Sequence, residues 1–360
     1  MVDFQKDINN QISKGTETRK REHIETVLNA NVAAKGVKTG FEAFSFEHCA
    51  LPELDLDRIN LATTLYGKTL RAPILISSMT GGAPEAEIIN NRLAECAQKL
   101  GLAMGLGSQR AGIENRSLSK TYSVRKVAPD ILLFANLGGV QLNYGYGIDE
   151  AKRAVEMIEA DALFIHLNPL QEAVQGEGDR DWRGILKKIE QLVSHAGVPI
   201  VVKEIGNGIS GKIVKKLVDI GVSAIDIAGA GGTSWSEVEA ERQTDLMLKK
   251  VAHSFANWGI PTAYSLIDAV REAGNIPIFA SGGIRTGIDV AKAIRLGACL
   301  CGVAAPVLGP ADEDSENVIK YMSSMIEELR ISAFCTGSSC LKELSQAPLR
   351  MLNDWSLVEI

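Results

Sequence analysis

The sequence predicts a (β/α)8 barrel, the TIM-barrel fold, because one strand-and-helix pattern occurs eight times along the chain. In each repeat a short apolar run ends in glycine, asparagine, serine or another polar residue, and an amphipathic helical stretch follows. The runs are almost continuously apolar, as expected of parallel strands that are covered on both faces. A doubly wound sheet is the alternative, but the first run is followed by SSMTGG at 77–82 and not by the G-x-G-x-x-G of dinucleotide folds.

The repeats begin at residue 73 and fill most of the chain. The eight apolar runs lie at 72–79, 101–107, 130–137, 161–168, 199–206, 223–231, 276–283 and 298–305. Helical periodicity between them predicts helices at 84–100, 149–160, 182–196, 211–220, 286–296 and 314–334. We therefore assign 73–340 to the barrel, 1–72 to an N-terminal extension with a helical stretch near 16–31, and 341–360 to a C-terminal tail packed on the barrel. The connection after the sixth run is the longest, and a long loop at this end of a barrel can act as a lid.

Composition narrows the classes of function. A length of 360 residues suits one large α/β barrel, and a net charge of -6 argues against a nucleic-acid-binding protein. No apolar run approaches the roughly 20 residues that cross a bilayer, and the polar N-terminus lacks the apolar stretch of a signal peptide. The six cysteines include no C-x-x-C pair. We expect a cytoplasmic protein with reduced thiols and no membrane or nucleic-acid partner.

Two features at the strand ends, where barrels carry their active sites, point to a bound anion. The stretch SGGIRTG at 281–287 joins an apolar run to a helix, and glycines before a helix N-terminus suit a phosphate. Lys203, in IVVKE at 200–204, lies at the end of a predicted strand that should otherwise be buried, so its ammonium requires a partner. That partner is a carboxylate such as Glu204 or Asp226, the edge of a reduced flavin, or a carbonyl substrate that forms a Schiff base.

An ordered set of motifs makes the chain resemble the type 2, FMN-dependent isopentenyl-diphosphate isomerase family. Each motif is weak alone, but RKREH before the barrel and HLNPLQE on the fourth run are distinctive. The set is RKREH (19–23), SSMTGG (77–82), GLGSQR (105–110), ANLG (135–138), HLNPLQE (166–172), VVKEIGNGIS (201–210), GAGGTSW (229–235) and SGGIRTG (281–287).

The resemblance implies a site for FMN, which is active in its reduced form with NAD(P)H as reductant. The implied FMN contacts are Ser78, Met79, Thr80, Ser108, Asn136, Lys203, Thr233, Gly282, Gly283, Ile284, Arg285, Ala304 and Ala305. It also implies isomerisation of isopentenyl diphosphate to dimethylallyl diphosphate, in which reduced FMN acts as the acid and base. A homotetramer or larger homo-oligomer is implied as well.

The same resemblance implies the substrate site. The implied substrate contacts are Arg19, Lys20, His23, Ser108, Gln109, Arg110, His166, Asn168 and Gln171. Glu172 is expected to hold Mg²⁺ on the diphosphate, and Gln171, Lys203 and Glu239 are the expected catalytic residues. Glu239 and Arg242 match a loop that closes over the site.

Other interpretations stay open at this point. A 2-hydroxy-acid oxidase would also use FMN on this fold, but it needs a histidine base and an arginine near the seventh run, and VVKEIGNGIS and GAGGTSW supply no such base. A flavin-binding sensor would keep the phosphate cup without needing RKREH or HLNPLQE. Arg19, Lys20 and His23 could instead form the solvated face of a charged helix.

Overall fold

The computed structural model describes residues 18–358, and within them eight parallel strands close a barrel. Strands are numbered β1 to β12 along the chain, and each barrel strand pairs with the next until β11 returns to β4. The barrel strands are β4 (Ile74–Ile76), β5 (Ala103–Gly105), β6 (Leu133–Gly138), β7 (Ala162–His166), β8 (Ile200–Lys203), β9 (Ala224–Asp226), β10 (Ile278–Ala280) and β11 (Leu300–Val303). Seven of these strands fall inside the predicted runs, and β6 extends one residue past its run, to Gly138, so the predicted fold class is confirmed.

The strands alternate between two apolar cores. Leu75 points into the barrel, whereas its neighbours Ile74 and Ile76 pack outward against the helices. The barrel interior is filled near its N-terminal end by aromatic rings, with Phe134 and Phe164 stacked at 4.4 Å between ring centroids. A hairpin of β2 (Thr63–Leu65) and β3 (Lys68–Leu70) contributes Leu65 and Leu70 to this interior cluster. Apolar side chains fill this end of the barrel, and the polar side chains of the strands lie at the opposite, C-terminal end.

Helices surround the barrel. Residues 18–29 are helical and are called α1. The others are α2 (Pro84–Leu100), α3 (Arg110–Glu114), α4 (Ile148–Ile158), α5 (Pro169–Val174), α6 (Ile185–His195), α7 (Gly211–Asp219), α8 (Trp235–Arg242), α9 (Leu246–His253), α10 (Thr262–Ala273), α11 (Gly287–Arg295), α12 (Ala305–Glu313), α13 (Ser315–Cys335) and α14 (Leu341–Leu344). Short 3-10 helices cover Phe41–Ala43, Leu56–Arg58, Arg116–Tyr122 and Val140–Asn143.

The predicted helices are present, with small shifts at their ends. The helix predicted at 182–196 begins only at Ile185, because Gly184 before it has a left-handed φ of 73°. The helix after β10 begins at Gly287, one residue after its predicted start, because Thr286 caps it. Thr286 accepts a hydrogen bond from the Asp289 backbone N–H, and the Asp289 side chain accepts one from the Thr286 N–H. The long connection after β9 contains α8 and α9 before α10.

Both flanking segments pack on the barrel within the described residues. Strand β1 (Phe44–Phe46) pairs antiparallel with β12 (Leu349–Met351), so residues before and after the barrel form one small sheet. Arg295 of α11 donates to the carbonyls of Ala347 and Val358 in the tail. Residues 1–17, with the start of the predicted helical stretch, lie outside the described residues. None of the helices in 18–358 is long and apolar enough to cross a membrane.

Candidate active site

A cavity of about 420 Å³ opens at the C-terminal ends of the barrel strands, a size typical of ligand pockets. Helix α1 contributes Arg19, Lys20 and His23 to its wall, and the Ala34 N–H donates to the Gly232 carbonyl just after α1. All thirteen predicted FMN contacts line this cavity, as do the predicted substrate and metal residues other than Gln109. The structure thus brings the barrel ends and the N-terminal extension together at one site.

A glycine-rich cup forms one side of the cavity. Gly282 has a φ of 99°, and a Cβ there would lie 2.0 Å from the Gly229 carbonyl oxygen. Gly283, with a φ of 75°, comes so close to Gly232 that a Cβ on Gly232 would lie 2.5 Å from its backbone nitrogen. Helix α12 begins beside this cup at Ala305, and the positive end of the helix dipole suits an anion.

Three buried hydroxyls at the end of β4 lack partners among the described residues. They are Ser77 Oγ, Ser78 Oγ and Thr80 Oγ1, and all three residues line the cavity. Buried polar atoms without hydrogen bonds cost free energy, so these groups fit a ligand that presents donors and acceptors. The polar ring edge of FMN has that character, and the cup provides for its phosphate. The residues present therefore fit FMN.

Lys203 lies buried at the end of β8 and lines the same cavity. Its Nζ donates to the Glu204 carbonyl at 2.5 Å and lies 3.9 Å from Asp226 Oδ2. The other carboxylate oxygen of Asp226 accepts a 2.6 Å hydrogen bond from Ser281. The Glu204 carboxylate turns elsewhere and accepts three backbone N–H groups, from residues 205 to 207. Burial nevertheless raises the pKa of Glu204 to about 7. Of the two carboxylates considered from the sequence, Asp226 is the one that faces the ammonium.

A cluster of cations faces the cavity from α1 and α3. Burial and the neighbouring Arg19 and Arg110 lower the pKa of Lys20 to about 8. Burial and the charge of Arg110 also lower the pKa of Arg19. Like charges held together in a partly buried site favour a multivalent anion. Arg19 and Lys20 are therefore not part of a fully solvated helix face.

Helix α5 presents Gln171 and Glu172 beside this cluster. Asn168 Nδ2 donates to Gln171 Oε1 at 3.0 Å and to Glu172 Oε1 at 2.9 Å. Burial raises the pKa of Glu172, and Asn168 Oδ1 has no partner among the described residues. Residues 18–358 contain no group of three or more His, Cys, Asp or Glu placed to hold a metal. A single carboxylate suits Mg²⁺ when phosphate oxygens supply further ligands, so Glu172 fits that ion only together with a phosphate ligand.

Glu239 lies behind the cavity wall. Its carboxylate accepts hydrogen bonds from Gln171 Nε2 at 2.8 Å and Arg242 Nη1 at 2.6 Å, and lies 3.0 Å from His23 Nε2. Although burial acts in the opposite direction, His23, Arg242 and Gln171 together lower the pKa of Glu239 to about 2. The carboxylate is ionised at neutral pH and orients Gln171 from behind.

The predicted substrate contact of Gln109 does not match its position. Its Nε2 donates to the Ala154 carbonyl at 2.7 Å, and its Oε1 accepts the Asn136 N–H at 3.0 Å. The side chain is fully buried between β6 and α4 and points away from the cavity. Ser108 and Arg110, on either side of it in sequence, do line the cavity.

Both histidines of the cavity are neutral. Burial and the charge of Lys203 lower the pKa of His166 to about 3, and its Nδ1 lies 2.7 Å from Asn136 Oδ1. Burial lowers the pKa of His23 to about 4 despite the nearby Glu239. The His23 ring also packs edge-on against Trp235, with centroids 5.3 Å apart.

Sequence reasoning missed several residues of the site because it considered mainly strand ends and motif positions. Gln141 lies on the 3-10 helix after β6, and Gln175 follows α5; both line the cavity. Asp179 bonds to Arg110 at 2.9 Å from a loop with no periodic pattern. The only available signal was the run of glycines and charged residues at 176–180.

Comparison with known proteins agrees with this geometry. The FMN-dependent dehydrogenase family matches residues 166–351. Solved structures with the same fold include a lactate oxidase from Pediococcus acidilactici, at a TM-score of 0.66 and 15% identity over 96% of this chain and 94% of that one. Another is a flavocytochrome b2 variant with pyruvate bound, at a TM-score of 0.68 and 17% identity over 94% and 85%. At these identities the likeness shows the fold alone.

Other proteins have much higher sequence identity to this chain. An isopentenyl-diphosphate delta-isomerase from Synechocystis sp. is 61% identical over 93% of this chain and 96% of its own. Proteins of the same name from Stutzerimonas stutzeri and Rickettsia rickettsii are 57% and 51% identical, over 93% and 92% of this chain and 97% of each of theirs. The chain therefore belongs to the isopentenyl-diphosphate delta-isomerase family of enzymes, built on an FMN-dependent dehydrogenase barrel.

Proposed function

We propose that this protein interconverts isopentenyl diphosphate and dimethylallyl diphosphate with reduced FMN as the acid and base. The observation that carries the proposal is a cluster of cations in the same cavity as the glycine cup. The glycine cup suits one phosphate, and the cluster of Arg19, Lys20 and Arg110 suits a further, multivalent anion beside it. A cofactor phosphate and a substrate diphosphate account for both.

The residues that would hold FMN follow from the geometry. The backbone at Gly282 and Gly283, with Arg285 and the start of α12, would bind the phosphate. The unpaired hydroxyls of Ser78 and Thr80 would bind the polar ring edge. When bound and reduced, FMN supplies a group that can give and take a proton at an unactivated alkene. The Lys203 ammonium would place positive charge against the electron-rich flavin.

The substrate diphosphate would be neutralised by the cation cluster and by Mg²⁺ on Glu172. Its oxygens would complete the coordination of Mg²⁺, which a single carboxylate leaves open. The same negative charge would restore the depressed pKa of Lys20, so each charge stabilises the other. The neutral His166 would shape this pocket without adding to the positive charge.

Gln171 would approach the allylic carbon of the substrate. Asn168 holds its Oε1 and Glu239 holds its Nε2, so the amide cannot rotate freely. In this proposal Glu239 sets the orientation of Gln171 and His23, since it lies behind the cavity wall. Orientation of this kind adds to the rate by reducing the freedom lost in the transition state.

An oxidase of 2-hydroxy acids is the alternative considered from the sequence, since such an enzyme would also use FMN on an FMN-dependent dehydrogenase barrel. That chemistry needs a strong histidine base. The two histidines of the cavity have pKa values lowered to about 3 and about 4, so both are weak bases at neutral pH. The isomerase proposal does not require a histidine base.

Three properties that the resemblance and the composition imply stay predictions. They are NAD(P)H as the reductant, a cytoplasmic location and a homo-oligomeric assembly.

The test is an anaerobic turnover assay. The protein is given FMN, Mg²⁺ and excess NADPH or dithionite, and conversion of isopentenyl diphosphate in D₂O is followed by NMR. We expect dimethylallyl diphosphate only when the flavin is reduced, with a lower rate for Gln171→Ala and loss of the Mg²⁺ response for Glu172→Gln. No product from folded, flavin-loaded, reduced protein would overturn the proposal.

A further inference from the structure

We propose that Asp179 is a positioning residue that holds the diphosphate-binding Arg110 and the Mg²⁺-binding Glu172 in one arrangement. The inference rests on the proposed function, which gives these two residues their ligands. Asp179 Oδ2 accepts a hydrogen bond from Arg110 Nη1 at 2.9 Å. The backbone N–H of the same residue donates to Glu172 Oε2 at 2.7 Å. One residue therefore contacts both halves of the anion site.

The guanidinium of Arg110 is fixed from two sides. Its Nε donates to Glu114 Oε1 at 2.8 Å on α3, and its Nη1 donates to Asp179 from the loop after α5. The side chain still lines the cavity. A long side chain that is held in place before the ligand arrives loses less conformational entropy on binding. Asp179 therefore prepares Arg110 for the anion.

The contact with Glu172 depends on the glycine before Asp179. A Cβ on Gly178 would lie 1.9 Å from the Glu172 carbonyl oxygen and 3.0 Å from its Cα. Only glycine lets the loop return this closely to α5, and this approach places the Asp179 N–H on the carboxylate. The loop is thus built to reach Glu172.

Further contacts fix the loop from the barrel side. Gln141 Nε2 donates to Asp179 Oδ2 at 3.2 Å from the 3-10 helix after β6. Asn143 Nδ2 donates to the Asp181 carbonyl at 2.7 Å, and the Asp181 N–H donates to the Tyr144 hydroxyl at 3.2 Å. Asp179 therefore joins the ends of β5, β6 and β7 around the proposed diphosphate.

A positioning role and a purely Coulombic role of Asp179 predict opposite changes in anion affinity for Asp179→Asn. Removing a negative charge beside an anion site would tighten anion binding by Coulomb's law. Exchanging the carboxylate for a neutral amide oxygen would weaken anion binding, because Arg110 would be held less firmly and the ligand itself would have to order more of the guanidinium. The asparagine keeps the shape of the side chain and the backbone N–H to Glu172. Its effect therefore reports on the charge of Asp179, which holds Arg110 directly and also acts on Glu172.

The test is calorimetric titration of inorganic diphosphate with Mg²⁺ into the FMN-loaded protein. We expect Asp179→Asn to bind roughly tenfold more weakly than wild type, because the hydrogen bond from Arg110 loses its charge assistance. In turnover, KM for isopentenyl diphosphate should rise by a similar factor while kcat changes by less than about twofold. Glu177→Gln, an exposed carboxylate in the same loop, is the matched control and should bind like wild type. Gly178→Ala should raise the Mg²⁺ concentration needed for half-maximal binding.

The outcomes separate this inference from the function it rests on. Equal or tighter binding by Asp179→Asn, or a fall in kcat with KM unchanged, overturns the positioning role. A wild-type protein that does not bind inorganic diphosphate with Mg²⁺ overturns both proposals. Weaker binding by Asp179→Asn in a protein that does not isomerise isopentenyl diphosphate overturns the proposed function and supports the positioning role.

Discussion

Replacing Lys20 by methionine should stabilise the protein in the absence of anions. Burial and two neighbouring arginines hold the pKa of Lys20 near 8, so the folded state disfavours its charge. The free-energy penalty that this places on folding is present in full below pH 8, where Lys20 is charged in both the folded and the unfolded state. It declines as the pH rises and disappears above the ordinary pKa of 10.5, because the amine is then neutral in both. Methionine has a similar length and removes the charge.

The size of the effect follows from the change in pKa. The fall from 10.5 to about 8 corresponds to at most about 3 kcal/mol against the charged form. An unfolding entropy of about 2.1 cal/mol/K per residue gives about 0.75 kcal/mol/K for a chain of 360 residues. The Lys20→Met variant should therefore melt up to about 4 °C above wild type at pH 7.

Calorimetric melting of the two proteins, in buffers without phosphate or metal, measures this difference from pH 7 to 10.5. Arg21→Met is the control, since Arg21 is an exposed cation on the same helix and its loss should change little. A variant that melts at or below the wild-type temperature at pH 7 would refute the reasoning. A gain that stays constant up to pH 10.5 would also refute it, because the penalty on the charge must disappear there.

Three further predictions test other parts of the site. Gly282→Ala should weaken FMN binding at least tenfold, because φ at this position is 99° and the new Cβ would meet the Gly229 carbonyl. Fluorescence titration with FMN measures the affinity, and an unchanged affinity would contradict the proposed cup. Lys203→Met should lower the reduction potential of bound FMN by about 30 mV, equivalent to about 1.4 kcal/mol for two electrons, and an unchanged potential would separate Lys203 from the flavin. Glu239→Gln should destabilise the protein at pH 7, with the difference from wild type fading as the pH falls from 4.5 towards 2, where the native carboxyl also becomes protonated; a difference independent of pH would rule out the charge of Glu239 as its cause.

The barrel could be predicted because each strand has a distinct signal. Both faces of β4 to β11 are covered, so the strands are nearly continuous apolar runs that end in polar residues. The cup was predictable for a related reason, since glycines at 282 and 283 are required where the backbone has positive φ and no room for a Cβ. Both signals are local in the sequence.

The misplaced residues lack a local signal. Gln109 lies between Ser108 and Arg110, and only the folded backbone shows that its side chain turns to α4 while theirs face the cavity. Helical periodicity places Gly184 inside the helix predicted at 182–196, yet its left-handed φ delays the start to Ile185. Asp179 reaches the site through a contact over 69 residues with Arg110, which no periodic pattern reveals.

The most direct test of the central claim is the number of product molecules formed per flavin reduced. The FMN-loaded protein is reduced once under anaerobic conditions, freed of excess reductant, and mixed with isopentenyl diphosphate and Mg²⁺. Isomerisation consumes no electrons, so the account predicts many molecules of dimethylallyl diphosphate per flavin while the flavin stays reduced. No dimethylallyl diphosphate, together with reduction of the oxidised flavin by a 2-hydroxy acid, would contradict the account and favour the oxidase.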